Sequence, residues 1–125
     1  MRFIAAISLA LLAAGAPAWE LIGDLGRVKT VYVEPAHIKD KDVLAAAVKS
    51  LLDQFGKEQA IEINFFDEKT FTPRTLPFGA ATRSHHKAKF NLNPATQLKK
   101  FVWVVADPNN PEGKPQYIED ELKLP

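Results

Sequence analysis

The chain contains no cysteine. That absence excludes disulfide stapling, thiol catalysis, cysteine-ligated zinc and lipid attachment through a thiol. Glycine is sparse, its six residues scattered singly, so there is no glycine-rich loop to cradle a phosphate. No H-x-x-x-H or H-x-H spacing offers a metal two ligands from one element, and no G-x-S-x-G turn offers a nucleophilic serine. From Lys69 to Lys100 there is not one acidic residue. Long apolar runs are missing as well, with a single exception at the start.

That exception is Phe3 to Ala14, broken by Ser8, preceded by Arg2 and followed by Ala16-Pro17-Ala18. A positive start, an apolar centre and a small-residue A-x-A site predict a cleaved signal peptide over 1–18. A membrane anchor needs about 20 apolar residues, which this run does not reach before Gly15 and Pro17 close it. The expected mature chain is one small domain, 19–125, free in the periplasm or secreted, and without a transmembrane anchor. A domain of that size without disulfides has to cohere through its packing.

Charge is unevenly distributed. Trp19 to Glu68 carries ten acids against six bases, Lys69 to Lys100 carries seven bases, and Phe101 to Pro125 carries five acids against two bases. Such asymmetry bears on partners and solubility rather than on fold.

The elements follow from periodicity. Arg27–Val33 is rich in β-branched residues and ends before Pro35, which predicts a first strand. Val43, Leu44, Ala47, Val48, Leu51, Leu52 and Phe55 form one stripe at helical spacing. Asp40 suits the N-cap, Ile38 a staple onto Leu44, and Gly56 the C-terminal stop. Ala60–Asp67 alternates as a second strand with one covered face. Glu68–Ser84 is a long aperiodic segment punctuated by Pro73, Pro77 and Gly79, a length often functional. A third strand places His86, Ala88, Phe90 and Leu92 on an apolar face, with His85, Lys87 and Lys89 opposite. Turn residues Asn93–Thr96 join it to Leu98–Val105, apolar on both faces, as an antiparallel hairpin. Trp19–Gly26 reads as a short lead-in, and Gln116–Leu124 as an edge strand or a frayed turn. The order β-α-β-β-β predicts a two-layer α+β domain, one helix on a mixed four-stranded sheet.

Candidate chemistry is thin. Ser84 beside His85 is sequence adjacency and does not supply a nucleophile–base geometry. Asp67 and Glu68 form the nearest carboxylate pair, and adjacent surface acids are common. His85 reads as solvated and His86 as half buried. No metal, cofactor or catalytic residue is expected, and an enzyme is not supported.

The acid-free basic span carries the functional expectation. Arg74, Arg83, Lys87, Lys89, Lys99 and Lys100, with Phe78 among them, predict a surface for an anionic partner. Export makes an anionic glycan, a lipid head group or an acidic protein surface of the cell envelope the expected partner, and nucleic acid an unexpected one. Two bland accounts compete: a lysine-rich edge that blocks aggregation, and internal neutralisation by the acidic first half. The functional alternatives are an inhibitor or immunity-type protein that occludes its target, and a minor hydrolase using Asp67, Glu68 or His86.

Overall fold

Asp40 opens the main helix as its chemistry predicts, its Oδ1 accepting from the Asp42 amide at 3.0 Å. Helix α1 runs Lys41–Phe55 and ends at Gly56, whose amide bonds the Leu52 carbonyl at 2.8 Å. Gly56 adopts φ +97°, a conformation glycine reaches without the clash a Cβ brings. The stripe Leu44, Ala45, Ala47, Val48, Leu51 and Leu52 is buried, while Lys49 and Asp53 pair at 2.7 Å on the outer side.

The computed structural model describes residues 17–111 and 113–125. Most of the expected signal segment, 1–16, lies outside the described residues. The sheet has six strands, not the four the sequence suggests: β1 Trp19–Leu25, β2 Val28–Val33, β3 Ile61–Phe66, β4 His86–Asn93, β5 Leu98–Val105 and β6 Gln116–Asp120. They lie side by side in chain order. β2 and β3 are parallel neighbours joined through α1, and every other neighbouring pair is antiparallel.

The supposed lead-in is therefore strand β1. Its alternation is masked by a register shift between Leu21 and Gly23, and the two-residue turn Gly26-Arg27 returns it as β2. Gly26 takes φ +78° at the first turn position, the conformation a type II′ hairpin needs. The C-terminal tail resolves as strand β6 rather than a frayed turn.

α1 covers one face of the sheet. Val31, Val33, Ile61, Ile63, Phe65, Ala88, Phe90 and Phe101 meet it there in a single buried cluster, joined by Ile38 and by Leu122 of the tail. Lys29 is buried at the edge of this layer, bonded to Asp24 and the Gly26 carbonyl and lying 3.9 Å from the centre of the Phe55 ring.

The second face is covered too, contrary to the expectation for β3. Residues 68–84 fold back across it, with a 3₁₀ turn at Lys69–Phe71 and a short helix α2 at Ala80–Arg83. Thr72 and Pro73 are buried, and Thr30 Oγ1 donates to the Pro73 carbonyl at 2.6 Å. Asn64 and Phe66 become fully buried beneath this cover.

Gly23 is what lets the segment come so close. A Cβ there would stand 2.4 Å from Thr30 Oγ1 and 2.7 Å from the Pro73 carbonyl oxygen. Gly23→Ala therefore lifts the 68–84 segment, with an expected loss of about 1–3 kcal/mol. Urea denaturation and faster proteolysis within 68–84 measure the two effects; an unchanged midpoint and cleavage rate would refute the close packing.

Candidate functional site

The 68–84 segment is closed at its base, where the Asp67 amide donates to the His85 carbonyl at 3.1 Å. Glu68 spends its carboxylate on the turn, Oε2 accepting from the Thr70 amide at 3.2 Å. Asp67 does something different. Its Oδ1 lies 3.0 Å from His85 Nδ1, and its Oδ2 lies 3.9 Å from Lys87 Nζ. The His85 ring stacks on Phe71, centroids 4.9 Å apart and planes 6° from parallel. An aspartate acceptor at Nδ1 selects the tautomer protonated there and leaves Nε2 as the basic nitrogen. His85 is thus not simply solvated among lysines. The Ser84 hydroxyl is hydrogen-bonded to the Ala81 carbonyl at 3.5 Å.

His86 is buried rather than half buried, and it leaves the apolar face assigned to it from alternation. A register shift at Phe65/Phe66 pairs Phe66 with His86 and leaves Lys87 in the bulge, so His86 joins the second face. Its ring stacks on Phe66 at 4.8 Å and meets Phe78 edge-on at 5.8 Å. Burial first, then the positive charge of Lys89, lowers its pKa to about 3, against the pull of a hydrogen bond with the Ala88 backbone. Among the described residues, His86 Nε2 and the nearby Asn64 Oδ1 are buried without a hydrogen-bond partner.

The seven residues expected to form a binding surface do not all come together. Phe78 packs inward against Phe66 and His86. Arg74 is exposed where the loop passes over Gly23, on the β1 side. Arg83 closes α2. Lys89 and Lys100 belong together: Lys89 pairs across the strands with Asn64 and Val102, and Lys100 with Asn91, so both project from the second face. Lys99 falls on the opposite face, opposite Leu92. It still shares with Lys100 a groove of about 450 Å³ at the end of the hairpin, where Phe90, Phe101, Glu119 and Lys123 also line the walls.

Compared with protein-family models, with curated proteins and with solved structures, the chain matches none.

Internal neutralisation is real but partial. Lys69 reaches Glu20 at 2.8 Å, Lys87 reaches Asp67 at 3.9 Å, and Lys100 reaches Glu119 at 4.0 Å. Arg74, Lys89 and Lys99 have no carboxylate within ion-pair distance among the described residues. Lys89 instead sits 5.4 Å from the centre of the Tyr117 ring. Tyr117 is half exposed at 52% and shares this face through its pairing with Val104. Sequence reading missed Tyr117 as a surface residue of the site; the alternation of Tyr117 and Glu119 with Ile118 and Asp120 was the available signal.

The chain's other candidate chemistries stay separate. Among the described residues, no group of three or more His, Asp or Glu side chains could hold a metal ion. None of their helices is long and apolar enough to cross a membrane.

Proposed function

We propose that this is a small exported binding module whose anionic partner docks on the second sheet face, over β4 to β6. The observation that carries the reading is Lys89: a cation without a carboxylate partner among the described residues, set against the exposed Tyr117 ring, with Lys100 projecting from the same face. A cation beside an aromatic ring offers an anionic ligand both charge and a flat apolar contact. Val102 and Val104 of β5 are buried on this face, so a ligand meets the Lys89, Lys100 and Tyr117 side chains that surround them.

Export is part of the same proposal. It is supported by the chain's apolar start and by the position of β1, which begins at Trp19, the residue a cut after Ala18 would make first. Such a cut removes no residue of the sheet. It removes the bond from the Glu34 amide to the Ala18 carbonyl, 3.0 Å long, just beyond the strand's end.

Binding to dextran sulfate, measured by calorimetry at low and high salt, tests the charge reading. The double variant Lys89→Glu with Lys100→Glu is expected to weaken binding by about tenfold or more, since each basic residue near an anionic surface contributes about 1 kcal/mol. The remaining affinity should fall less steeply with salt. Affinity indifferent to both the reversals and ionic strength would remove this face from consideration.

A further inference from the structure

The two edges of the sheet are treated differently. β1 is interrupted by its register shift, crossed by the loop at Gly23, and tied to that loop by the Lys69–Glu20 pair. Bulging and covering are two of the devices by which a protein keeps an edge from pairing. β6 has neither. Its register with β5 is unbroken from Gln116 to Asp120, all five of its residues are exposed, and among the described residues no strand pairs with its outer side. It also presents apolar surface on both faces, Tyr117 at 52% exposure and Ile118 at 50%, with Val105 exposed beside Ile118 on the helix-side face.

We propose that the β6 edge pairs with the β6 edge of a second copy of this chain, antiparallel, about a two-fold axis at Ile118. The charge pattern of the strand favours a second copy as the occupant. The register that pairs the whole of Gln116–Asp120 with itself is centred on Ile118 and sets Ile118 against its own counterpart. It sets Tyr117 opposite Glu119 and Gln116 opposite Asp120. The strand's two acids, Glu119 and Asp120, thus meet no acid directly across. A shift of the axis to Glu119 would put that carboxylate against itself, which like charges in opposite positions disfavour. The pairing is isologous and closes at two.

An edge ladder this short buries less than the roughly 1,200–2,000 Å² of a stable complex, so the association is a weak, reversible one. The axis is perpendicular to the sheet, so each face continues into the same face of the partner. Lys89, Lys100 and Tyr117 of the two copies then stand on one surface. This goes beyond the binding function proposed above and does not depend on it.

The absence of native cysteine makes the test direct, because any disulfide in a single-cysteine variant joins two copies. Under mild oxidation Ile118→Cys is expected to form a covalent dimer about tenfold faster than Tyr117→Cys. Facing Cα atoms in a ladder lie within the 4.4–6.8 Å a disulfide spans, and positions two residues out of step do not. Sedimentation of the unsubstituted protein should show mass rising from monomer toward dimer between about 10 μM and about 1 mM, the range of weak interfaces. Equal or reversed cross-linking rates overturn the register, and a monomer throughout that range overturns the pairing itself. Dextran sulfate binding that survives in a monomeric protein would separate this failure from a failure of the basic face.

Discussion

Leu51→Asp yields a chain that no longer folds. Leu51 has no exposed surface and stands in the middle of the α1 stripe, against the strand residues of the single core. Truncating such a leucine typically costs about 2–5 kcal/mol. Placing a carboxylate there adds the penalty of a buried unpaired charge, several kcal/mol more. Domains of this size are stable by about 5–15 kcal/mol in total, and here no disulfide limits the unfolded chain. Ser50→Asp, one residue earlier on the exposed side of α1, should shift stability by no more than about 0.5 kcal/mol. Circular dichroism melting of the two variants decides the matter: a cooperative transition in Leu51→Asp would mean that α1 is not the wall of the core.

The second large effect is acid sensitivity centred on His86. In the unfolded chain its imidazole takes up a proton near pH 6.5, whereas in the folded protein the pKa is lowered to about 3, by burial first and by Lys89 second. The sign follows from which state binds the proton. Above pH 6.5 the ring is neutral in both states and the full stability is present. Below pH 6.5 the unfolded chain gains a proton that the folded state refuses, and stability declines by about 1.4 kcal/mol per pH unit until the folded pKa is approached. From pH 6.5 to pH 5 the loss is about 2 kcal/mol, before most carboxylates begin to titrate. His86→Leu keeps an apolar side chain against Phe66 and Phe78 and should remove this slope. Urea midpoints at pH 7 and pH 5 give the comparison; equal slopes in the two proteins would show that His86 is not the group responsible.

The helix and the inner strands were legible because each carries its own period. Asp40, Gly56 and the Leu44–Leu52 stripe mark α1 without reference to anything distant, and Ile61-Glu62-Ile63-Asn64-Phe65 alternates openly. β1 was hidden because a bulge at Ile22 breaks its alternation and Gly23 and Gly26 resemble loop residues. Gly23 is small for a tertiary reason, the passage of Pro73, which local pattern cannot reveal. The same kind of event misled the histidines: the bulge at Lys87 turns His86 from the face it would otherwise occupy. The pairing of Asp67 with His85 joins the two ends of a long loop, and their sequence neighbours say nothing of it. Of the basic residues, composition marked the span correctly as acid-free, but the strand register decides that Lys89 and Lys100 share a face while Lys99 does not.

Strand order that follows chain order has a consequence for how the molecule is assembled. Each ladder joins a strand to the one made just before it, so a chain emerging N-terminus first can add every strand to an existing template. The longest wait is for the crossover through α1, and that helix carries its own start and stop signals. Closure of the 68–84 cover has to wait for its far anchor, His85, which leads directly into β4. Until that closure Thr30, Asn64 and the large ring of Phe66 face water together, while the other side of the sheet already has α1 to lie against.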